Sequence, residues 1–242
     1  MGLAGSGAVA IWHDIAPEGR AAFYAWHGRE HMPERVAIPG FLRGRRYAAV
    51  QGAPQYFNLY ETDSPAVVTG SDYLARLNDP TPWTVATVRH FRGVARSLCE
   101  VAASAGEGQG GLMATFRYAL PVDVVAAHRD RLVSSVVPET ARAPGVAGCH
   151  WLVADEAASA VETAERKVRG EANEVPRWIL LVESWDDQAA FVDWCARFAQ
   201  GAAFADAVQA PDWAAYRLQN ARDRLMGGTP AHRPPGPGSG PG

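Results

Sequence analysis

The chain contains one pattern of residues twice, and this internal repeat restricts its fold more than any other feature of the sequence. Three segments of the first half align in order with three segments of the second, at offsets of 104, 105 and 122 residues: 7–17 with 111–121, 33–40 with 138–145, and 54–62 with 176–184. The change of offset requires about 17 extra residues in the second half, and the segment 153–173 can hold them. The sequence therefore predicts two related units in tandem.

Each half is predicted to follow the order strand, helix, strand, strand, helix and a last strand. In the first half, 7–15 is apolar and typical of a strand, and a helix over 18–36 follows Pro17, which suits the start of a helix. The remaining elements of this half are predicted as two strands, at 41–50 and 55–62, and two helices, at 71–78 and 83–103. In the second half, 213–220 closes the unit as a strand or a helix.

This order of elements is that of the ferredoxin-like unit, whose antiparallel sheet carries helices on one face. The other face needs cover, and two such units in one chain can cover each other. We therefore predict an α+β fold, with two ferredoxin-like βαββαβ units packed sheet to sheet as an α+β barrel. The units are predicted at 7–105 and 111–226, with a Gly-rich linker at 106–110 and a disordered tail, rich in Pro and Gly, at 227–242.

Composition and charge argue against several functional classes. The net charge of −3 and the pI of about 6.2 provide no basic field for nucleic acid. The sequence shows no apolar run of about 18 residues and no signal peptide, so we expect a cytoplasmic protein without a membrane partner. Cys99, Cys149 and Cys195 stand apart, which predicts neither a disulfide framework nor a thiolate zinc site.

A resemblance to a known superfamily is carried by four segments of the first half: Glu30–Phe41, Arg45–Tyr47, Tyr56–Glu61 and Asn78–Trp83. In these segments the chain resembles the dimeric α+β barrel superfamily, in particular its EthD-like and REDY-like small proteins. The resemblance implies the barrel fold. It leaves the activity open, because members include cofactor-free monooxygenases, cyclases, isomerases, dehydratases and haem enzymes.

The second half serves as an internal comparison for the first, because equivalent positions should have the same orientation. At the offset of 105, His27 and His31 fall on Leu132 and Val136. These two aliphatic residues belong to an apolar helical stripe of the kind that packs on a sheet. The two histidines are therefore expected to point toward the sheet of the first half.

The third strand shows the same contrast between the halves. At the offset of 122, three polar-capable residues fall on apolar ones: Tyr56 on Trp178, Asn58 on Leu180, and Tyr60 on Val182. Alternate residues of a strand share one face, and a buried polar group without a partner costs about 1–3 kcal/mol. We therefore predict a ligand pocket here. Two alternatives stay open: the tyrosines bond one another between sheets, or the helix is rotated and His31 lies in solvent.

The predicted chemistry is cofactor-free acid–base catalysis on a flat hydrophobic or aromatic, polyketide-like small molecule. His31 is the first candidate for the base, with Glu34 or Glu30 orienting it, and the histidine four residues earlier is a second acid or base. Asn58 and Tyr60 would donate hydrogen bonds to an enolate or phenolate oxygen. Five aromatic residues are predicted to bind the substrate: Phe23, Trp26, Tyr56, Trp83 and Trp12. The reaction would be of the lyase, isomerase or oxygenase type.

Other interpretations compete with this one. The two histidines could bind a metal with a nearby glutamate, but neither an HExxH motif nor a carboxylate triad supports this, and we predict no metal site. One histidine could be an axial ligand of haem in an apolar slot, or the pocket could bind an aromatic ligand without catalysis. The oligomeric state is left as monomer or homodimer. His13, aligned opposite Arg117, is expected at the rim or the surface.

Overall fold

The structure, a computed structural model, describes residues 2–170 and 172–224, and at its centre is a closed barrel of eight antiparallel strands. The strand bounds are β1 Gly7–Ile15, β2 Phe41–Gln51, β3 Tyr56–Thr62, β4 Phe91–Gly106, β5 Leu112–Tyr118, β6 Val146–Ala154, β7 Trp178–Ser184 and β8 Asp212–Asp223. Around the barrel the order is β1-β3-β2-β8-β5-β7-β6-β4. Each half thus supplies one run in ferredoxin-like order, β4-β1-β3-β2 and β8-β5-β7-β6. The α+β fold class predicted from the sequence is confirmed.

The two halves share one hydrogen-bonded barrel instead of only touching through sheet faces. The pairings β2–β8 and β4–β6 join them. Because the barrel is closed, its eight strands have no free edge. In an open sheet, an exposed edge strand can pair with another chain.

The helices cover the outside of the barrel. Their bounds are α1 Arg20–Trp26, α2 Met32–Ala37, α3 Ser71–Asn78, α4 Pro82–Val88, α5 Val125–Arg131, α6 Val137–Thr140, α7 Glu156–Ala160, α8 Ala164–Arg169 and α9 Gln188–Phe198, with 3-10 turns at Pro17–Gly19, Pro65–Thr69, Val122–Val124 and Ala202–Phe204. Within the described ranges, every helix is too short or too polar to cross a membrane.

A π-helical turn interrupts the first long helix of each half, at His27–His31 and at Leu132–Val136. Each turn is followed after one residue by a proline, Pro33 or Pro138. Because proline lacks an N–H and crowds the carbonyl four residues earlier, it disrupts the α-helical ladder and favours such a turn. The two turns are 105 residues apart in the sequence, so His27 and Leu132 occupy equivalent positions of the two halves, as expected.

The strand register corrects one part of the sequence alignment. Gly7 pairs with Thr62 and Leu112 pairs with Ser184, so the first strand follows an offset of 105 and not 104. A shift of one residue moves a side chain to the other face of a strand. His13 therefore corresponds to Tyr118 and is fully buried, and the expectation that it lies at the rim or surface is wrong.

The prediction of a helix over 83–103 is also wrong for most of these residues. The helix ends at Val88, and β4 begins at Phe91 and continues to Gly106. This segment is rich in alanine, but helix propensity is a weak preference that tertiary context overrides. Here β4 pairs with β1 on one side and with β6 on the other. The other uncertain segment, 213–220, lies in strand β8.

The extra residues of the second half form α7 and α8, which lie between β6 and β7. The predicted unit boundaries at 7–105 and 111–226 stay predictions, although β4 reaches the first residue of the 106–110 linker. The predicted tail at 227–242 lies outside the described residues.

The interior of the barrel combines apolar side chains with a few buried hydroxyl groups, such as that of Thr115, and contains a charged network near one end. Glu61, Arg45, Glu183 and His150 are all buried there. Arg45 lies 2.9 Å from a carboxylate oxygen of each glutamate, and His150 Nε2 lies 3.3 Å from Glu183 Oε1. The two glutamates occupy equivalent positions of the two halves. The network therefore links the halves across the barrel.

Candidate active site

A small cavity lies between the barrel wall and the helices of the first half. Its volume is about 70 Å³, and it is lined by β1, β3 and β4, by the helical layer above them, and by α8 of the second half. Five of the predicted site residues line it together: Trp26, His27, His31, Asn58 and Tyr60. The first half thus has a hollow at the place where the sequence comparison predicts one.

The other predicted site residues lie elsewhere. Phe23 and Tyr56 pack on each other one layer behind the cavity, with ring centres 4.9 Å apart. Trp83 lies in α4 and does not line the cavity. Trp12 points into the barrel interior, where its indole Nε1 donates to Thr115 Oγ1 at 3.1 Å. The predicted contact of Trp12 with a substrate in this pocket is therefore wrong, because alternate residues of β1 face opposite sides.

The two glutamates considered as orienting groups are engaged with other residues. Glu30 accepts a hydrogen bond from Thr81 Oγ1 at 2.5 Å, which links the π-helical turn to the start of α4. Glu34 forms an ion pair with Arg76 at 3.8 Å and does not line the cavity. Glu30 therefore holds a helix and not the ring of His31.

The two imidazoles are stacked among aromatic rings under the helix. The His31 ring lies 4.3 Å from the Trp26 ring, and the two histidine rings are 5.5 Å apart. His27 Nε2 lies 3.2 Å from the Tyr60 hydroxyl. In both histidines Nδ1 is buried without a hydrogen-bond partner among the described residues. Such atoms are rare in folded proteins and call for a specific explanation.

Both imidazoles are neutral at neutral pH. Burial lowers the pKa of His27 well below its usual value, and the positive charge of Arg46 lowers it further. Burial also lowers the pKa of His31 well below its usual value, and here Arg35 adds to the effect. Burial raises the pKa of the Tyr60 hydroxyl, which therefore keeps its proton. The cavity wall thus offers uncharged groups that can both donate and accept a proton.

His13 belongs to the site although the sequence analysis placed it elsewhere. Asn58 Nδ2 donates to His13 Nε2 at 2.9 Å, and Asn58 Oδ1 is buried without a partner in the described part of the chain. Burial lowers the pKa of His13 to about 3 against a weaker opposing hydrogen bond with the Asp14 carbonyl. With the correct strand offset His13 aligns with the buried Tyr118, which predicts a buried position for His13 instead of one at the surface.

Charged residues of the cavity wall were also missed. Arg35 is buried and forms an ion pair with Glu165 of α8. Arg96 lines the cavity from β4 and donates through Nη2 to the Tyr73 hydroxyl at 2.9 Å. The sequence feature that could have indicated this part of the wall is the insertion at 153–173, which occurs in the second half only. Its packing against the first half is a long-range contact, and local sequence patterns do not specify such contacts.

In this structure the cavity has no room for a haem. A porphyrin is many times larger than benzene, and even benzene occupies an engineered cavity of ~150 Å³, about twice the volume found here. Trp26 and Tyr60 fill the space beside the two histidines. In the described ranges, no group of three or more His, Cys, Asp or Glu side chains is placed to hold a metal ion.

The neutral histidines make stability dependent on pH. Because His13, His27 and His31 have lowered pKa values in the folded chain, their contribution is complete above the unfolded value of about 6.5 and is lost as the pH falls below it. Each should cost about 1.4 kcal/mol per pH unit in this window. Thermal unfolding followed by circular dichroism from about pH 8 to about pH 5 measures the slope.

A double variant with leucine at 27 and valine at 31 provides the control for this slope. It should retain only the part of the pH dependence that comes from His13 and from His128, whose pKa burial also lowers. An unchanged slope in the double variant would contradict the assignment of neutral, buried imidazoles.

The comparisons with known proteins establish the fold. No family model matches the chain, and no curated protein matches it. Among solved structures, an anthrone oxidase-like protein superposes with a TM-score of 0.60 at 12% identity, covering 92% of this chain and 96% of the other. A presumed monooxygenase from Lactobacillus acidophilus NCFM gives 0.55 at 9% identity, with coverages of 90% and 97%. A presumed chlorite dismutase gives 0.54 at 10% identity, with coverages of 89% and 96%.

These identities are low, so the likeness extends to the fold and not to the chemistry. All three structures are matched over nearly their whole length. The finer resemblance to EthD-like and REDY-like proteins stays a prediction.

Proposed function

We propose that the chain is a small-molecule enzyme that removes a proton from a flat, aromatic carbon acid or phenol without a cofactor. The observation that carries the proposal is the pair of neutral imidazoles on the cavity wall, His27 buried and His31 partly buried, each with a buried nitrogen that has no partner among the described residues. At the equivalent positions the second half has Leu132 and Val136. An unpartnered buried polar atom costs about 1–3 kcal/mol, and a ligand that bonds to it explains why the chain tolerates this cost.

In the proposed reaction His31 takes the proton, and the electron pair stays on the substrate as an enolate or phenolate. We assign the base to His31 because His27 is already bonded to the Tyr60 hydroxyl. A lowered pKa makes a resting imidazole a weak base. Negative charge that develops beside it raises its pKa again, so proton transfer becomes favourable as the anion forms.

The anion is stabilised by the groups that surround the two imidazoles. Arg35 and Arg96 both line the cavity, and their positive charge acts strongly in a buried site. Tyr60 remains protonated and can turn its hydroxyl from His27 toward a substrate oxygen. Trp26 offers an aromatic face next to His31 for a flat ring.

A substrate ring enters only when the wall moves. The cavity is about half the size of one that holds benzene. The part of the wall contributed by the insertion is α8, a helix of six residues that is tied to α2 by the Arg35–Glu165 ion pair. We propose that displacement of α8 admits the substrate.

The name of one of the fold neighbours is consistent with an aromatic substrate. One is named as anthrone oxidase-like and another as a monooxygenase. For this chain we propose that proton removal is the common first step. Whether the anion then reacts with oxygen, isomerises, cyclises or loses water decides between the oxygenase, isomerase and lyase types.

Hydrogen exchange tests the proposed step directly. Anthrone and phenylpyruvate are incubated with the protein in deuterium oxide, and the loss of their acidic C–H signals is followed by NMR. The protein should accelerate exchange of at least one of them beyond buffer and beyond free imidazole at the same concentration. If both bind without faster exchange, the site is a non-catalytic binding pocket and the proposal fails.

A further inference from the structure

We propose that a second, apolar hollow beside the cavity binds a hydrophobic arm of the substrate. The inference rests on the proposed function, since it extends the same site. The second hollow has a volume of about 80 Å³. Leu77 and Arg96 line both hollows, so the two lie on opposite sides of these side chains.

The walls of the second hollow are mostly aliphatic, with two threonines, Thr69 and Thr163, among them. Val68 and Leu74 close it from the first half, Leu98 forms its floor on β4, and Ala158 and Val161 close it from the insertion. Arg96 is the one charged side chain on its wall, and its guanidinium is bonded to the Tyr73 hydroxyl. Water finds few hydrogen-bond partners in such a space, whereas an alkyl group gains from being buried there.

The partition between the hollows is thin. Leu77, near the end of α3, is buried and contacts both spaces. The two hollows together are about as large as the ~150 Å³ cavity that binds benzene. A ligand that displaces Leu77 can therefore place its acidic group at His31 and its apolar arm against Leu98.

The insertion makes this hollow specific to one half of the barrel. Ala158, Val161 and Thr163 belong to the segment of extra residues, and Glu165 of the same segment lines the polar cavity. One insertion thus covers a polar compartment and an apolar one. The geometry points to an amphiphilic substrate with an ionisable ring at one end and an aliphatic chain or second apolar ring at the other.

A homologous series of ligands tests this inference without turnover. Phenol, 4-ethylphenol and 4-butylphenol are titrated into the full chain by isothermal calorimetry. Affinity should rise about fourfold for each added methylene, as expected when it leaves water for an apolar space. The ratio of 4-butylphenol to phenol affinity is the quantity compared among variants.

Two matched alanines on α7 give the variants. Ala158→Phe places a ring in the second hollow and should reduce this affinity ratio to near one. Ala157→Phe adds the same ring at the neighbouring, exposed position and should leave the ratio unchanged. If Ala158→Phe does not fold, Val161→Phe fills the same hollow from a half-exposed position.

The outcomes separate the two proposals. Equal affinities across the series in a protein that still accelerates hydrogen exchange would overturn the apolar subsite alone. If affinity rises with the length of the alkyl group both in the wild type and in His31→Val, the subsite is supported even where the proton-transfer proposal fails. If the affinity ratio is as high in Ala158→Phe as in the wild type, the alkyl group of the ligand binds elsewhere, and the inference is also overturned.

Discussion

Replacing His27 with leucine and His31 with valine is expected to abolish proton abstraction while the protein keeps or gains stability. These are the residues that the second half has at the equivalent positions, 132 and 136, in the same kind of π-helical turn. Loss of a positioned general base lowers the rate about 10²–10⁴-fold. Removal of the two buried Nδ1 atoms that have no partner in the described part of the chain relieves a cost of about 1–3 kcal/mol each. This gain offsets both the loss of the bond between His27 and the Tyr60 hydroxyl and the packing lost where valine is smaller than histidine.

The reverse exchange in the second half provides the control. Leu132→His with Val136→His should lower the free energy of unfolding, since Leu132 is packed in a dry apolar cluster, and should leave hydrogen exchange unchanged. Exchange rates and thermal unfolding are measured on both double variants. Full activity in the first pair, or a large loss of its stability, would mean that the histidines support the fold and not the chemistry.

The comparison of the two halves predicted the centre of the site because it needed only the correct register. His27, His31, Asn58 and Tyr60 line one cavity, and the offsets used for them, 105 and 122, agree with the observed turns and pairings. The first strand was misaligned by one residue. Since strand side chains alternate, that shift aligned His13 with the half-buried Arg117 instead of the buried Tyr118.

Other parts of the structure depend on contacts that the sequence pattern does not encode. The alanine-rich residues after Phe91 became a strand because β1 and β6 pair with them on both sides. Glu165 reaches Arg35 over 130 positions of sequence. Burial beside distant residues, and not local propensity, decided both cases.

The largest expected loss of stability comes from the barrel interior, where Arg45→Met should lower the free energy of unfolding by about 3–5 kcal/mol. Arg45 is the cation between Glu61 and Glu183, and all three side chains are buried. Burial opposes ionisation of Glu183, but the adjacent His150 and the charge of Arg45 outweigh it and lower the pKa to about 2. Without Arg45, two buried carboxylates face each other with too little compensating charge.

The pH dependence of this loss distinguishes uncompensated charge from lost packing. In the variant the pKa of Glu183 should rise above its unfolded value, because burial then acts without the charge of Arg45, so the folded state takes up a proton as the pH falls. The stability deficit relative to wild type should therefore be full at neutral pH and shrink as the pH approaches about 4. Chemical denaturation at several pH values measures it.

Removing the arginine and both glutamates of the network, while His150 is kept, provides the final control. Arg45→Met combined with Glu61→Leu and Glu183→Leu eliminates the buried charges together, and buried ion pairs replaced by apolar residues are often neutral or stabilising. The triple variant should therefore recover most of the loss. A deficit in Arg45→Met that does not change with pH, and that the triple variant retains, would show that Arg45 acts through packing alone.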